Sequence, residues 1–202
     1  MSSPQLWVIA GPNGAGKSTL ARRYLAGRIE IVNPDDIAQQ IAPDRRDDPA
    51  VAGRAGRIAI ERRRALLAAG QSFAFETTLT GNSERTFMAE ARDRGFKVNL
   101  VFVGIRDVAQ SDSRVIERVQ RGGHDVQRSD LERRYGRSMA NLPTAMQIAH
   151  RVLVLDNSEE RRRLILSREN GRTKLVSRRL PQWAREAIPA ELRRIKARGI
   201  EL

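Results

Sequence analysis

Residues Gly11-Pro12-Asn13-Gly14-Ala15-Gly16-Lys17-Ser18 fit the pattern G-x-x-x-x-G-K-[ST] without a gap. The apolar run QLWVIA at 5–10 precedes them and a helical stretch at 18–25 follows. A glycine-rich turn between a strand and a helix is what a phosphate cradle requires. Its glycines let the backbone curl until successive N–H groups face phosphate oxygens. The helix behind it adds the positive end of its dipole. The spacing predicts that 11–19, from Gly11 to Thr19, bind the phosphates of a nucleotide. Lys17 is expected on the β- and γ-phosphates and Ser18 on Mg²⁺.

The rest of the chain alternates in kind. Strands are expected at 29–32, 72–75, 97–103 and 151–155, besides 5–10. Helices are expected at 49–69, 83–94, 108–120 and 131–149, the first two stopped by Gly70 and Gly95. Such alternation predicts an α/β fold, a mostly parallel five-stranded sheet with helices on both faces. Asn170-Gly171 between the apolar runs 164–167 and 173–176 predicts a hairpin. The expected organisation is a P-loop domain over 1–177, with a lid at about 118–134, and a basic tail over 178–202.

Composition narrows the chemistry. The 202 residues carry a net charge of +13 and no cysteine, which excludes thiol nucleophiles and cysteine–zinc sites. The positive charge is almost all arginine, whose planar fork suits phosphate, although solvated helix faces account for such a total equally well. No apolar run is long enough for a membrane span and no secretory signal opens the chain, so a cytoplasmic location is expected.

Two further segments bear on chemistry. Asn33-Pro34-Asp35-Asp36 places two carboxylates past the second strand, at the end that faces the ligand crevice in open α/β sheets. Asp35 suits a base that takes the proton of an acceptor hydroxyl. Equally, Asp35 or Asp36 suits a helix cap. Glu76 and Thr78 lie at the corresponding end of the third strand, where they could hold an acceptor's hydroxyls. Arg114, Arg118, Arg121, Arg128, Arg133 and Arg134 surround Gly122-Gly123-His124, the pattern of a hinged lid that closes over ATP and excludes water. A solvated basic helix pair is the simpler account of most of them, and a loop-stabilising hydrogen bond is the simpler role for His124.

GPNGAGKST at 11–19, NPDD at 33–36, FETTLTG at 75–81, RVIERVQRGGHDV at 114–126, LERRY at 131–135, NLPTA at 141–145 and VLDNS at 154–158 run in one order. Together they resemble the zeta toxin family of P-loop kinases over roughly residues 5–158. The resemblance implies an adenylate-kinase-like core, ATP and Mg²⁺, a protein antitoxin as partner, and phosphorylation of the amino-sugar 3′-hydroxyl of UDP-N-acetylglucosamine. It implies Lys17 as the P-loop lysine, Asp35 as the base, Glu76 and Thr78 as substrate contacts, and Arg118 as the first phosphate-binding arginine of the lid. Arg128 or Arg134 would be the second. Thr80 stands where family members carry an arginine after E-x-T, and Glu61 lies one place off the family's second substrate-side glutamate.

Two other functions compete with this one. The first is a kinase of another small hydroxyl compound, such as an antibiotic or metabolite. The second is a nucleic-acid-associated ATPase, favoured by the charge. A stacking surface for nucleic acid needs aromatics among its basic residues, and aromatics are only 4% of this chain.

Overall fold

The structure, a computed structural model, describes residues 3–45, 48–120 and 127–195, apart from the side chains of Arg118 and Val119. Seven strands form one sheet: β1 Gln5–Ala10, β2 Glu30–Val32, β3 Phe73–Thr77, β4 Lys97–Gly104, β5 Arg151–Asp156, β6 Arg163–Glu169 and β7 Arg172–Val176. Their order is β2-β3-β1-β4-β5-β6-β7. The first five are parallel, as expected. The expected hairpin is present as β6 and β7, but it does not stand apart. It pairs antiparallel with β5, so the sheet has seven strands rather than five. Pairing there satisfies backbone groups that an open β5 edge would leave exposed.

The helices are α1 Lys17–Leu25, α2 Pro34–Ile41, α3 Pro49–Ala68, α4 Ser83–Asp93, α5 Val108–Gln120, α6 Arg128–Ile148, α7 Gln182–Ala187 and α8 Ala190–Arg193. Side chains alternate across the central strands because the strand period is two. Leu6 and Val8 of β1, Val98, Leu100 and Phe102 of β4, and Val152 and Val154 of β5 join the larger core. Trp7, Ile9, Val101, Leu153 and Leu155 point to the smaller one, which α1 supplies with Leu20 and Ala21.

Residues 182–192, expected within the basic tail, contribute Trp183, Ala184, Ile188 and Leu192 to the larger core. Trp183 lies flat on Gly104, where an added Cβ would sit 2.3 Å from its ring. Its indole Nε1–H donates to Asp156, a buried carboxylate that also accepts from Ser158 and Arg163. Those hydrogen bonds hold the Asp156 carboxyl below the usual range against the opposing effect of burial. No described helix is long and apolar enough to cross a membrane.

Candidate functional site

Parallel register builds the site. Ala10, the last residue of β1, pairs with Thr77 of β3, and Ile9 pairs with Glu76. Val32, the last residue of β2, pairs with Phe75. The chain leaving β1 therefore enters the glycine loop beside Glu76, and the chain leaving β2 turns into Asn33 on its other side. Gly11 adopts φ +139, and an added Cβ would stand 2.1 Å from the Val103 carbonyl oxygen. No other residue type fits there.

Ser18 Oγ donates to Glu76 Oε2 at 2.6 Å, and Asn33 Nδ2 donates to Glu76 Oε1 at 3.1 Å. Burial pushes the Glu76 carboxyl up, opposed by the Ser18 hydrogen bond and the Lys17 ammonium, while the charges of Asp36 and Asp35 add to the rise. Lys17 Nζ donates to the carbonyl oxygens of Gly11 and Pro12, each at 2.9 Å. A hydroxyl and a carboxylate oxygen on one spot form the oxygen donor set that Mg²⁺ prefers. Among the described residues no three acidic, histidine or cysteine side chains cluster as a metal cage.

Asn33, not Asp35 or Asp36, caps α2. Its side chain accepts from the Asp35 N–H at 3.0 Å, with Pro34 opening the helix. Asp36 pairs with Arg22 at 2.8 Å. Asp35 is exposed, and its carboxylate makes no hydrogen bond or ion pair among the described residues. The capping role expected of the two aspartates thus falls to their neighbour, which leaves Asp35 available.

On the acceptor side, Thr78 Oγ1 lies 3.2 Å from Thr80 Oγ1. Between them Leu79 is fully buried with φ +59, a conformation costly for a residue with a Cβ. Asn141 Nδ2 donates to the Leu79 carbonyl at 2.8 Å, tying the NLPTA segment of α6 to this turn.

The lid arginines divide. α5 rests on the cradle, with Ser111 Oγ donating to Asn13 O at 2.8 Å and the Arg114 Cβ 3.1 Å from a Cβ placed on Gly14. Arg114 is thus the arginine whose Cβ lies against the loop, beside the Ser111 backbone. Arg128 is exposed and 4.0 Å from Asp112 and 3.7 Å from Glu132. Arg133 and Arg134 share Asp130, whose carboxyl the Arg133 hydrogen bond holds below its usual range. Arg118 belongs to α5, but its side chain lies outside the described residues, as do 121–126 with His124. Tyr135 anchors α6 by donating to the carbonyls of Ile105 and Arg106, and burial pushes its hydroxyl up to about 12.

Two contributors escaped the sequence. Asn157 Nδ2 donates to Ala15 O at 2.9 Å, and Arg162 reaches Gly16 O at 3.4 Å. Both arrive from more than 140 residues away, so no local pattern announces them. Asn33 was legible: an Asn before Pro at a helix start is a capping signature.

Residues 6–140 match the model of the AAA domain family. The chain belongs to that family. Its fold is that of the P-loop kinases. An uncharacterized protein of Haemophilus influenzae is 36% identical over 144 residues, which is 67% of this chain and all of that protein. The AvrRxo1-ORF1:ORF2 complex solved with ATP superposes with a TM-score of 0.69 at 17% identity, over 86% of this chain. This chain spans only 60% of that one. The PezAT toxin–antitoxin system of Streptococcus pneumoniae gives 0.59 at 17%, over 78% of this chain and 69% of that one. At these identities the two structures speak for the fold.

Proposed function

We propose that this protein is an ATP- and Mg²⁺-dependent phosphotransferase that moves the γ-phosphate of ATP to a hydroxyl group of a small molecule. The observation that carries the reading is the Asp35 carboxylate in the first turn of α2, unpaired among the described residues, beside a phosphate cradle whose Ser18 meets Glu76. The cradle binds the phosphates, and Lys17 turns from the loop's own carbonyls to the β- and γ-phosphoryl oxygens. Asp35 accepts the proton of the acceptor hydroxyl as its oxygen attacks phosphorus in line with the departing ADP oxygen. Ser18, with Glu76 hydrogen-bonded to it, would hold Mg²⁺, which would supply charge neutralisation on the phosphates. Arg118, with Arg128 or Arg134, closes from the lid and excludes water, which would otherwise compete with the acceptor.

UDP-N-acetylglucosamine or a related sugar nucleotide is the first acceptor to test, on the resemblance to zeta toxins. In that assignment Thr78 faces the sugar, and a protein antitoxin is the partner of a cytoplasmic toxin. The likeness to a toxin–antitoxin complex in PezAT supports that partner class. Thr80 supports a second acceptor class. It meets Thr78 where family members carry an arginine, so this pair offers hydroxyls in place of a cation. A neutral or cationic alcohol suits such a surface.

The test is ATP consumption against a panel of UDP-sugars and of unphosphorylated alcohols, with the product identified by its added mass. A phosphorylated UDP-sugar supports the first acceptor, and another phosphorylated alcohol the second. ATP turnover that no alcohol stimulates overturns the kinase reading.

A further inference from the structure

Parallel sheets are normally covered on both faces. Among the described residues the strip of sheet beside α1 is not. Trp7, Leu153 and Leu155 remain half-buried there, and with Ile9 and Val101 they floor a groove of about 1050 Å³. No described helix besides α1 borders it.

The rim states what chemistry would cover it. Arg23, Arg28, Arg161 and Arg162 line the groove, with Glu160 as the one acid. None of the four arginines forms an ion pair among the described residues. Arg22 and Arg163, next to Arg23 and Arg162 in the chain, do find carboxylates. Arg162 Nε is buried with no hydrogen-bond partner at all. Arg23, Arg28 and Arg161 are exposed, so a carboxylate arriving from outside can reach them.

A second copy of this chain is a poor occupant. An isologous contact would set the four arginines of one copy against the same four of the other. The shape favours a helix. The groove follows β1, whose six residues span about 17–20 Å. A helix parallel to α1 covers that length with about 12 residues, at 1.5 Å each.

We propose that this groove docks an acidic amphipathic helix of a partner protein, its apolar face on Trp7, Leu153 and Leu155 and its carboxylates on the arginine rim. The site lies on the α1 face of the sheet, apart from Asp35 and Glu76, and the proposal requires no catalytic activity. It is nevertheless connected to the cradle. Asn157 and Arg162, which line the groove, also hold the carbonyls of Ala15 and Gly16.

The test uses the full chain and two blocked peptides of about 14 residues, both with leucines on one helix face. One carries glutamates on its flanks and the other lysines. Binding is read from Trp7 emission, with Trp7→Phe as the control that abolishes the signal while Trp183 remains. The acidic peptide is expected to bind at least tenfold more tightly than the basic one. Arg23→Glu with Arg28→Glu, both on the rim, should reverse that order. Leu153→Glu should abolish binding of both peptides. The rim variant decides the matter if Leu153→Glu does not fold. Equal affinities, or no binding of either peptide, overturn the proposal. So does a concentration-dependent dimer in sedimentation that the groove variants disperse, since the occupant is then a second copy. Failure here leaves the kinase assay untouched, and failure there leaves this result standing.

Discussion

The hydroxyl of Ser18 and the carboxylate of Glu76, 58 residues apart in the chain, meet at 2.6 Å. Glu76 entered as a contact for the acceptor. The hydrogen bond to Ser18 ties it to the cradle, where it would help to hold Mg²⁺, with Asn33 fixing its second oxygen. Glu76→Gln should therefore raise the Mg²⁺ concentration for half-maximal turnover by roughly 10- to 100-fold, the usual effect of disturbing a group that orients a metal ligand. Slow hydrolysis of ATP by water should fall together with transfer. Magnesium titrations with and without acceptor check this; an effect confined to the acceptor KM returns Glu76 to the substrate.

The same carboxylate makes a pH prediction. Burial holds its pKa above the ordinary 4.5, so the folded state grips the proton more tightly than the unfolded chain does. The stability linked to that proton is whole below pH 4.5 and is lost as pH rises through the folded value. Glu76→Gln removes the titration. The Tm of the variant minus that of the parent should grow in the variant's favour between about pH 4 and about pH 8. Paired thermal melts read it, and a flat difference refutes it.

Asp35 and Asp36 should separate cleanly. Asp35→Asn should keep ATP binding and lower transfer by about two to four powers of ten, the contribution of a positioned base. Asp36→Asn breaks only an exposed pair with Arg22 and should change stability by less than about 1 kcal/mol. Single-turnover kinetics and ATP titration distinguish them. A damaging Asp36→Asn beside a harmless Asp35→Asn would reverse the assignment.

Trp183 carries the tail. Its side chain is 3% exposed, packs on Gly104 and donates to Asp156. Trp183→Ala should destabilise the protein by about 3–5 kcal/mol in urea unfolding. Trp183→Phe keeps most of the packing and leaves one acceptor bond of Asp156 unmade, so it should cost about 1–3 kcal/mol. Equal small losses for both would mean that residues 182–192 are peripheral to the core.

What the sequence determined by itself is local. A strand, a glycine turn and a helix are read within 21 consecutive residues, because period, glycine placement and one lysine suffice to specify them. The alternation of later elements specified the parallel core for the same reason. Asn33 as the cap of α2 was within reach, since capping is a matter of neighbours. Tertiary structure alone decided the rest. Parallel register brought Glu76 between Ser18 and Asn33, and no pattern in FETTLTG distinguishes a carboxylate that meets the hydroxyl of the glycine loop's serine from one that meets a sugar. Asn157 and Arg162 reach the cradle only after β5 is placed two strands from β1. The basic tail hid Trp183 among arginines, and its burial depends on a gap above Gly104 that exists only once the sheet has formed. Local order follows from the conformational preferences of adjacent residues. Contacts between distant segments follow from which surfaces the folded sheet leaves to be filled.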